Sequence, residues 1–148
     1  MTIITSAQLP KRADCFHDEA TIVSGNALAP TVNTSQPYNG FSYQNPANNG
    51  DSFSQSFFIR AGTYTIDFLG VVEGNSAILD WYLDGTLIIS GQDWYGAGTT
   101  YNVDKTATGI VIPNDGYHVL RGAVNGKNGA SGGYELRLTK LWLRQVSD

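Results

Sequence analysis

From Ala20 onward the chain is written in short apolar runs broken by Gly, Asn, Pro and Asp, a pattern of strands and turns. The clearest run is Thr63–Leu69, where Tyr64, Ile66 and Phe68 alternate with Thr63, Thr65 and Asp67. A period of two residues puts these sets on opposite faces of a sheet, one buried and one wet. Ser52–Arg60 reads the same way, with Phe53, Phe57 and Ile59 on one face and Ser54, Ser56 and Phe58 on the other. Ala77–Leu83 turns Leu79, Trp81 and Leu83 inward and Asp80 and Tyr82 outward. Asp84-Gly85 then supplies the two positive-φ positions of a type I′ turn, so Thr86–Ser90 returns as the partner strand of a hairpin. Ala20–Ser24 and Tyr38–Tyr43 are shorter candidates, and Thr106–Ile112, Tyr117–Val124 and Tyr134–Leu143 complete the set. Pro113-Asn114-Asp115-Gly116 is a turn by composition, and Val124–Gly133 is a glycine-rich loop.

No segment keeps apolar residues at helical spacing long enough to predict a helix of several turns. About eight turn-punctuated strands instead predict an all-β fold, an antiparallel two-sheet β-sandwich of the jelly-roll kind. Its core is assigned to Phe57, Ile59, Tyr64, Ile66, Phe68, Leu79, Trp81, Leu83, Leu120, Leu136 and Leu138, the large residues at matching strand parity. In the last strand Tyr134, Leu136 and Leu138 alternate inward, after which Leu141 and Leu143 take the other parity. Either a bulge near Lys140 shifts the phase or both faces are covered there; Trp142, opposite Leu141 and Leu143, favours coverage of both. Residues 1–19 differ from the rest. They combine Pro10 with Lys11, Arg12, Asp14, Asp18 and Glu19 and show little periodicity, so an extended N-terminal arm (1–19) is expected ahead of a sandwich domain (20–148).

Composition narrows the class further. The 148 residues suit one domain, and 41% hydrophobic residues with eight Tyr, six Phe and three Trp are enough to build a core. A net charge of -4 argues against a nucleic-acid partner read through phosphates. No apolar run approaches the roughly 20 residues of a membrane-spanning helix, so no membrane partner is expected. Met1–Pro10 lacks the basic and apolar regions of a secretion signal. The lone Cys15 excludes an intramolecular disulfide framework.

Candidate chemistry is sparse. Cys15 and His17 form a C-x-H pair, but with only His118 elsewhere they cannot complete a Cys/His zinc site. His118 is expected as a half-buried imidazole bonded to neighbouring backbone. Asp67, Asp80, Asp93 and Glu135 are the carboxylates a glycosidase pair would draw on. Asp67 and Asp80 have outward parity, where carboxylates are ordinarily solvated, and no G-x-S-x-G elbow is present. No enzyme activity is therefore expected. Asp93, Asp104 and Asp115 lie in oxygen-rich loops that suit calcium, but without the D-x-[DN]-x-[DN]-G pattern, so no metal and no cofactor are assigned. The aromatics say more: Trp94 and Tyr95 sit between Asp93 and Gly96, and Tyr38, Tyr43 and Tyr101 lie in other polar contexts. Such residues serve as core edge, as subunit interface or as platforms for sugar rings.

The stretches FFIRAGTYTIDFLG, ILDWYLDGTLI and GYHVLRGAVNGKNGASGGYELRLTKLWLR, between Phe57 and Arg144, resemble the jelly-roll modules of bacteriophage virion proteins. They are also similar to carbohydrate-binding modules, with a G-x-Y-x-I strand, a D-G hairpin, a G-x-H-x-L strand and a terminal strand after an NG loop. A small sandwich behind a short arm looks like a capsid decoration (cement) protein. That resemblance implies a homotrimer on the virion surface, bound to the major capsid protein lattice through Ile3, Ile4, Leu9, Lys11 and Arg12 of the arm. A last strand apolar on both faces would be covered by the trimer. The alternative is a carbohydrate-binding receptor-recognition module of a fibre or spike, with a cell-surface glycan as partner. Trp94, Tyr95, Tyr101 and Trp142 are the candidate interface or sugar-stacking aromatics under either reading.

Overall fold

Strands with one apolar face are stable only when that face is covered, and two sheets stacked face to face cover each other. The computed structural model realises this arrangement and describes residues 12–15, 21–24, 31–33, 40–43 and 48–147. Its strands are β1 (Arg12–Cys15), β2 (Thr21–Ser24), β3 (Thr31–Asn33), β4 (Gly40–Tyr43), β5 (Ser52–Ile59) and β6 (Gly62–Val72). They continue with β7 (Ala77–Leu83), β8 (Thr86–Asp93), β9 (Thr100–Ile112), β10 (Gly116–Lys127) and β11 (Leu136–Ser147). The first sheet has the order β3-β4-β11-β6-β9 with β1 also against β11, and the second has the order β2-β5-β10-β7-β8. Every pairing of named strands is antiparallel. From β5 onward each connection crosses to the other sheet except the β7–β8 hairpin, which gives the jelly-roll sandwich.

All eleven residues assigned to the core are buried, joined by Val71, Ala77, Trp94, Ile110, Ile112, Leu141 and Leu143. Asp84 (φ 49°) and Gly85 (φ 83°) take the two left-handed positions of the hairpin turn. Gly122 of β10 lies between Phe53 and Trp81 in register, and a β-carbon there would stand 2.7 Å from Phe53 Cζ and 2.9 Å from Trp81 Cζ3. The missing side chain lets the two rings pack edge to face, with centroids 5.6 Å apart.

Three expectations change. The alternation of β11 is rephased by a bulge: Leu138 pairs with Gly70 and Lys140 with Leu69, leaving one extra residue on β11. Leu136 and Leu138 before it, and Leu141 and Leu143 after it, therefore all face the core. The premise of a last strand apolar on both faces, and with it the need for a trimer to cover that strand, is removed. Second, the segment expected as an arm contains β1, which pairs with β11 from Arg12↔Arg144 to Cys15↔Leu141. β4 pairs only with Leu136–Leu138, so the rest of that edge of β11 has backbone groups to satisfy, and β1 satisfies them. Third, β3 forms in a stretch without strand patterning, and β9 starts at Thr100, ahead of the expected Thr106. The early half of β9 is polar because it edges the sheet, and its Lys105 reaches over the Trp94 ring at 5.1 Å.

Candidate functional site

The outward parity of the second sheet collects the most exposed aromatic surface among the described residues. In β10, His118, Leu120 and Gly122 face the core, which turns Tyr117, Val119 and Arg121 outward. Register sets Tyr117 beside Phe58, Val119 beside Ser56, Arg121 beside Tyr82, and Tyr82 beside Leu87. Tyr117 is 77% exposed and meets Phe58 edge to face at 4.7 Å. The Arg121 guanidinium lies on the Tyr82 ring with its carbon 4.1 Å from the centroid. Val119 and Leu87 are exposed alongside. Tyr117 to Arg121 spans about 13 Å along β10. The result is a row of ring faces and edges with one guanidinium, above a core in which Gly122 leaves room for the Phe53 and Trp81 rings.

Polar groups are fixed around this row. Asp80, outward on β7 and expected to be solvated, is 7% exposed because other strands take its oxygens. Oδ1 accepts from Gly91 N (2.7 Å) and Ser90 Oγ (3.3 Å), and Oδ2 accepts from Asn125 Nδ2 (2.8 Å). At the other end of the row, His118 is buried with Nδ1 2.6 Å from Asp84 Oδ2 and Nε2 2.8 Å from the Asn114 carbonyl. Both partners are oxygen acceptors. Asp84 also accepts from Val119 N at 2.8 Å. Burial pushes the Asp84 carboxyl up, but the hydrogen bonds from His118 and Val119 and the attraction of His118 outweigh it, leaving its pKa lowered. The hairpin turn is thereby latched to the start of β10, beside Tyr117.

At the far end of the sandwich the β6–β7, β8–β9 and β10–β11 connections meet. Gly132 N donates to Gly74 O (2.8 Å), Glu135 N to Asn75 O (2.8 Å) and Ser131 Oγ to Ser76 O (2.8 Å). Asn128 Nδ2 donates to Asp93 Oδ2 (2.9 Å), and Tyr95 N to Asp93 Oδ1 (2.8 Å). Arg137 Nε is 2.8 Å from Glu73 Oε1, and its Nη2 is 3.5 Å from Glu135 Oε2. Burial raises the Glu73 pKa and Glu135 adds to the rise, against the opposing pull of Arg137. These bonds tie the loops together, while among the described residues the buried Ser76 Oγ has no hydrogen-bond partner and Glu73 Oε1 has only its ion-pair contact with Arg137.

The residues singled out from the sequence are dispersed. Trp94 is fully buried, a correction to its reading as an exposed platform. It lies over Gly70, where a β-carbon would be 2.7 Å from Trp94 Cζ3, and its Nε1 shares Gln92 Oε1 with Trp81 Nε1 (2.9 and 3.0 Å). Tyr95 is half-buried in a bridge to Glu73, and Tyr101 is exposed at the start of β9. Trp142 is half-buried on β11, with Lys140 Nζ 5.0 Å from its ring. Asp67 is buried, bonded to Arg144 and to Thr106 Oγ1 (3.1 Å), which accounts for an outward carboxylate kept from water. Asp115 accepts from Ala61 N (2.7 Å), and Asp104 is exposed on β9. No three His, Cys, Asp or Glu side chains among the described residues come together as a metal-binding group. Arg12 and Cys15 lie in β1, while Ile3, Ile4, Leu9, Lys11, His17 and Tyr38 fall outside the described residues. Phe58, Tyr82, Tyr117 and Arg121 were not singled out. Their outward parity was the available signal, and their adjacency depends on β10 running between β5 and β7.

No protein-family model matches the chain, and no curated protein matches it by sequence. Solved structures do. A Paenibacillus xanthan lyase superposes with a TM-score of 0.76 at 23% identity, over 93% of this chain and 13% of that one. The CBM36-1 domain of a multidomain xylanase from the hindgut metagenome of Trinervitermes trinervoides gives 0.64 at 17%, over 93% and 99%. A family 35 carbohydrate binding module from Clostridium thermocellum gives 0.62 at 20%, over 91% and 98%. The chain thus spans a small part of the lyase but almost the whole of each module. Nothing in these likenesses points to a phage particle. What they establish is the fold: this chain is an antiparallel jelly-roll sandwich of the kind that carbohydrate-binding modules have.

Proposed function

We propose that the chain is a carbohydrate-binding module that holds a glycan against the outer face of its second sheet. The observation that carries this reading is the row of Phe58, Tyr117, Tyr82 and Arg121 across β5, β10 and β7. Sugar rings present apolar C–H faces that stack on aromatic rings, while their hydroxyls need polar groups at the rim. Tyr117 supplies the open ring, and the Tyr82–Arg121 pair supplies a second surface with donors at its edge. The strands that carry these side chains are paired on both edges or packed on a buried core, which limits the ordering that binding must supply. Likeness to modules named for carbohydrate binding supports the same reading. In this proposal the chain binds and does not cleave: Asp67 and Asp80 are taken up by cross-strand hydrogen bonds. The capsid-decoration reading has no observation in its favour, since the bulge in β11 removes its structural premise and β1 is part of the sheet. Affinity electrophoresis through gels containing plant and bacterial polysaccharides tests the proposal. Wild-type protein should be retarded by at least one polysaccharide, and Tyr117→Ala should lose most of that retardation.

A further inference from the structure

We propose that the glycan held on this face is acidic, and that Arg121 reads its carboxylate. This inference rests on the carbohydrate-binding reading and names the class of sugar within it. Arg121 is the one formally charged side chain in the row of Phe58, Tyr117, Val119, Tyr82 and Leu87. Its guanidinium carbon lies over the Tyr82 ring, 4.1 Å from the centroid, a contact that occupies one face of the group and none of its N–H donors. Among the described residues no carboxylate is in salt-bridge contact with it. The acidic groups closest along the strands have other partners: Asp80 is filled by Gly91, Ser90 and Asn125, and Asp84 by His118 and Val119.

The contrast with Arg137 and Arg144 is informative, because each of those pairs with a carboxylate of this chain. In a protein of net charge -4, a stacked and preorganised guanidinium left without a carboxylate on an aromatic face is complementary to an incoming one. A planar carboxylate matches the guanidinium fork, and the ring that bears it can rest towards Val119, with a sugar further along the same chain reaching Tyr117. A neutral sugar would use the platform but not the charge. The surface is partly wet, so the preference should be modest, about five- to tenfold, and should fall as salt is added.

The test uses the full chain on pairs of arrayed polysaccharides, each a uronate polymer such as polygalacturonate beside the same polymer after carboxyl reduction. Wild type should favour the acidic member about fivefold or more, with the preference shrinking at high salt. Arg121→Gln should abolish the preference, weakening acidic binding several-fold more than it weakens reduced-polymer binding. Tyr117→Ala should weaken both. Unchanged near-ultraviolet circular dichroism of Trp81 and Trp94 would confirm that each variant is folded. Equal wild-type binding to the two members, or equal weakening of both by Arg121→Gln, would overturn the acidic class while leaving carbohydrate binding in place. Binding to no polysaccharide of either kind would overturn both.

Discussion

Three side chains show how single residues set this fold. Trp81 is fully buried against Phe53 and Phe68 and shares Gln92 with Trp94, so Trp81→Ala should cost about 3–5 kcal/mol in denaturant unfolding. Gly122→Ala places a methyl group against the Phe53 and Trp81 rings and should cost about 1–3 kcal/mol, although alanine suits a strand better than glycine. Asp67 gives a pH signature. Its pKa is lowered chiefly by the hydrogen bond from Arg144 and further by Thr106, against the rise from burial. The folded state thus binds this proton more weakly than the unfolded chain. The stabilisation is fully present above the unfolded carboxylate value of about 4 and is lost as pH falls through the lower folded value. Wild type should therefore lose more stability than Asp67→Asn between about pH 5 and pH 2; parallel losses would assign no linked proton to Asp67. At this scale the sequence was readable where parity alone decides burial, as for the eleven core residues. It was unreadable for Trp94, whose polar neighbours imply exposure. Its burial depends on Gly70, a residue of another strand, leaving room for the ring.

At the scale of elements, local signals located the strands and non-local pairing decided their roles. Asp84-Gly85 was legible because the turn is built from its own two residues. Gly85→Val should destabilise the domain by roughly 1 kcal/mol or more, since φ is +83° there. Gly129 has open space around it, so Gly129→Val should be nearly silent in the same melt. Equal effects would displace the turn. In β11 the change of parity was visible in the spacing of Leu138 and Leu141, but choosing a bulge over two covered faces needed the register against β6. Deleting Thr139, the extra residue, should place Leu136, Leu138, Leu141 and Leu143 in one unbroken alternation, so the shortened chain should keep all four in the core and still unfold cooperatively. Loss of cooperative unfolding in that variant would show that Thr139 is not the residue that shifts the phase. β1 was missed because four residues of mixed polarity carry little pattern, and its partner lies at the opposite end of the chain.

For the whole molecule, topology assembles the candidate site. β10 runs between β5 and β7, so the outward residues of three strands far apart in sequence become one aromatic and cationic row. No local motif announces such a row, whereas the jelly-roll class is announced by alternation and turns repeated along the chain. The same topology draws Asp93, Asp67 and Asp80 into internal bonds, and the sheet face is the proposed surface for a partner. The central claim is that this face binds glycan, and the most direct measurement is the polysaccharide affinity of wild type against Tyr117→Ala. Tyr117 is 77% exposed, so its removal should leave stability nearly unchanged while binding falls about tenfold. Full binding by a folded Tyr117→Ala protein would contradict the account and place the glycan elsewhere on the sandwich.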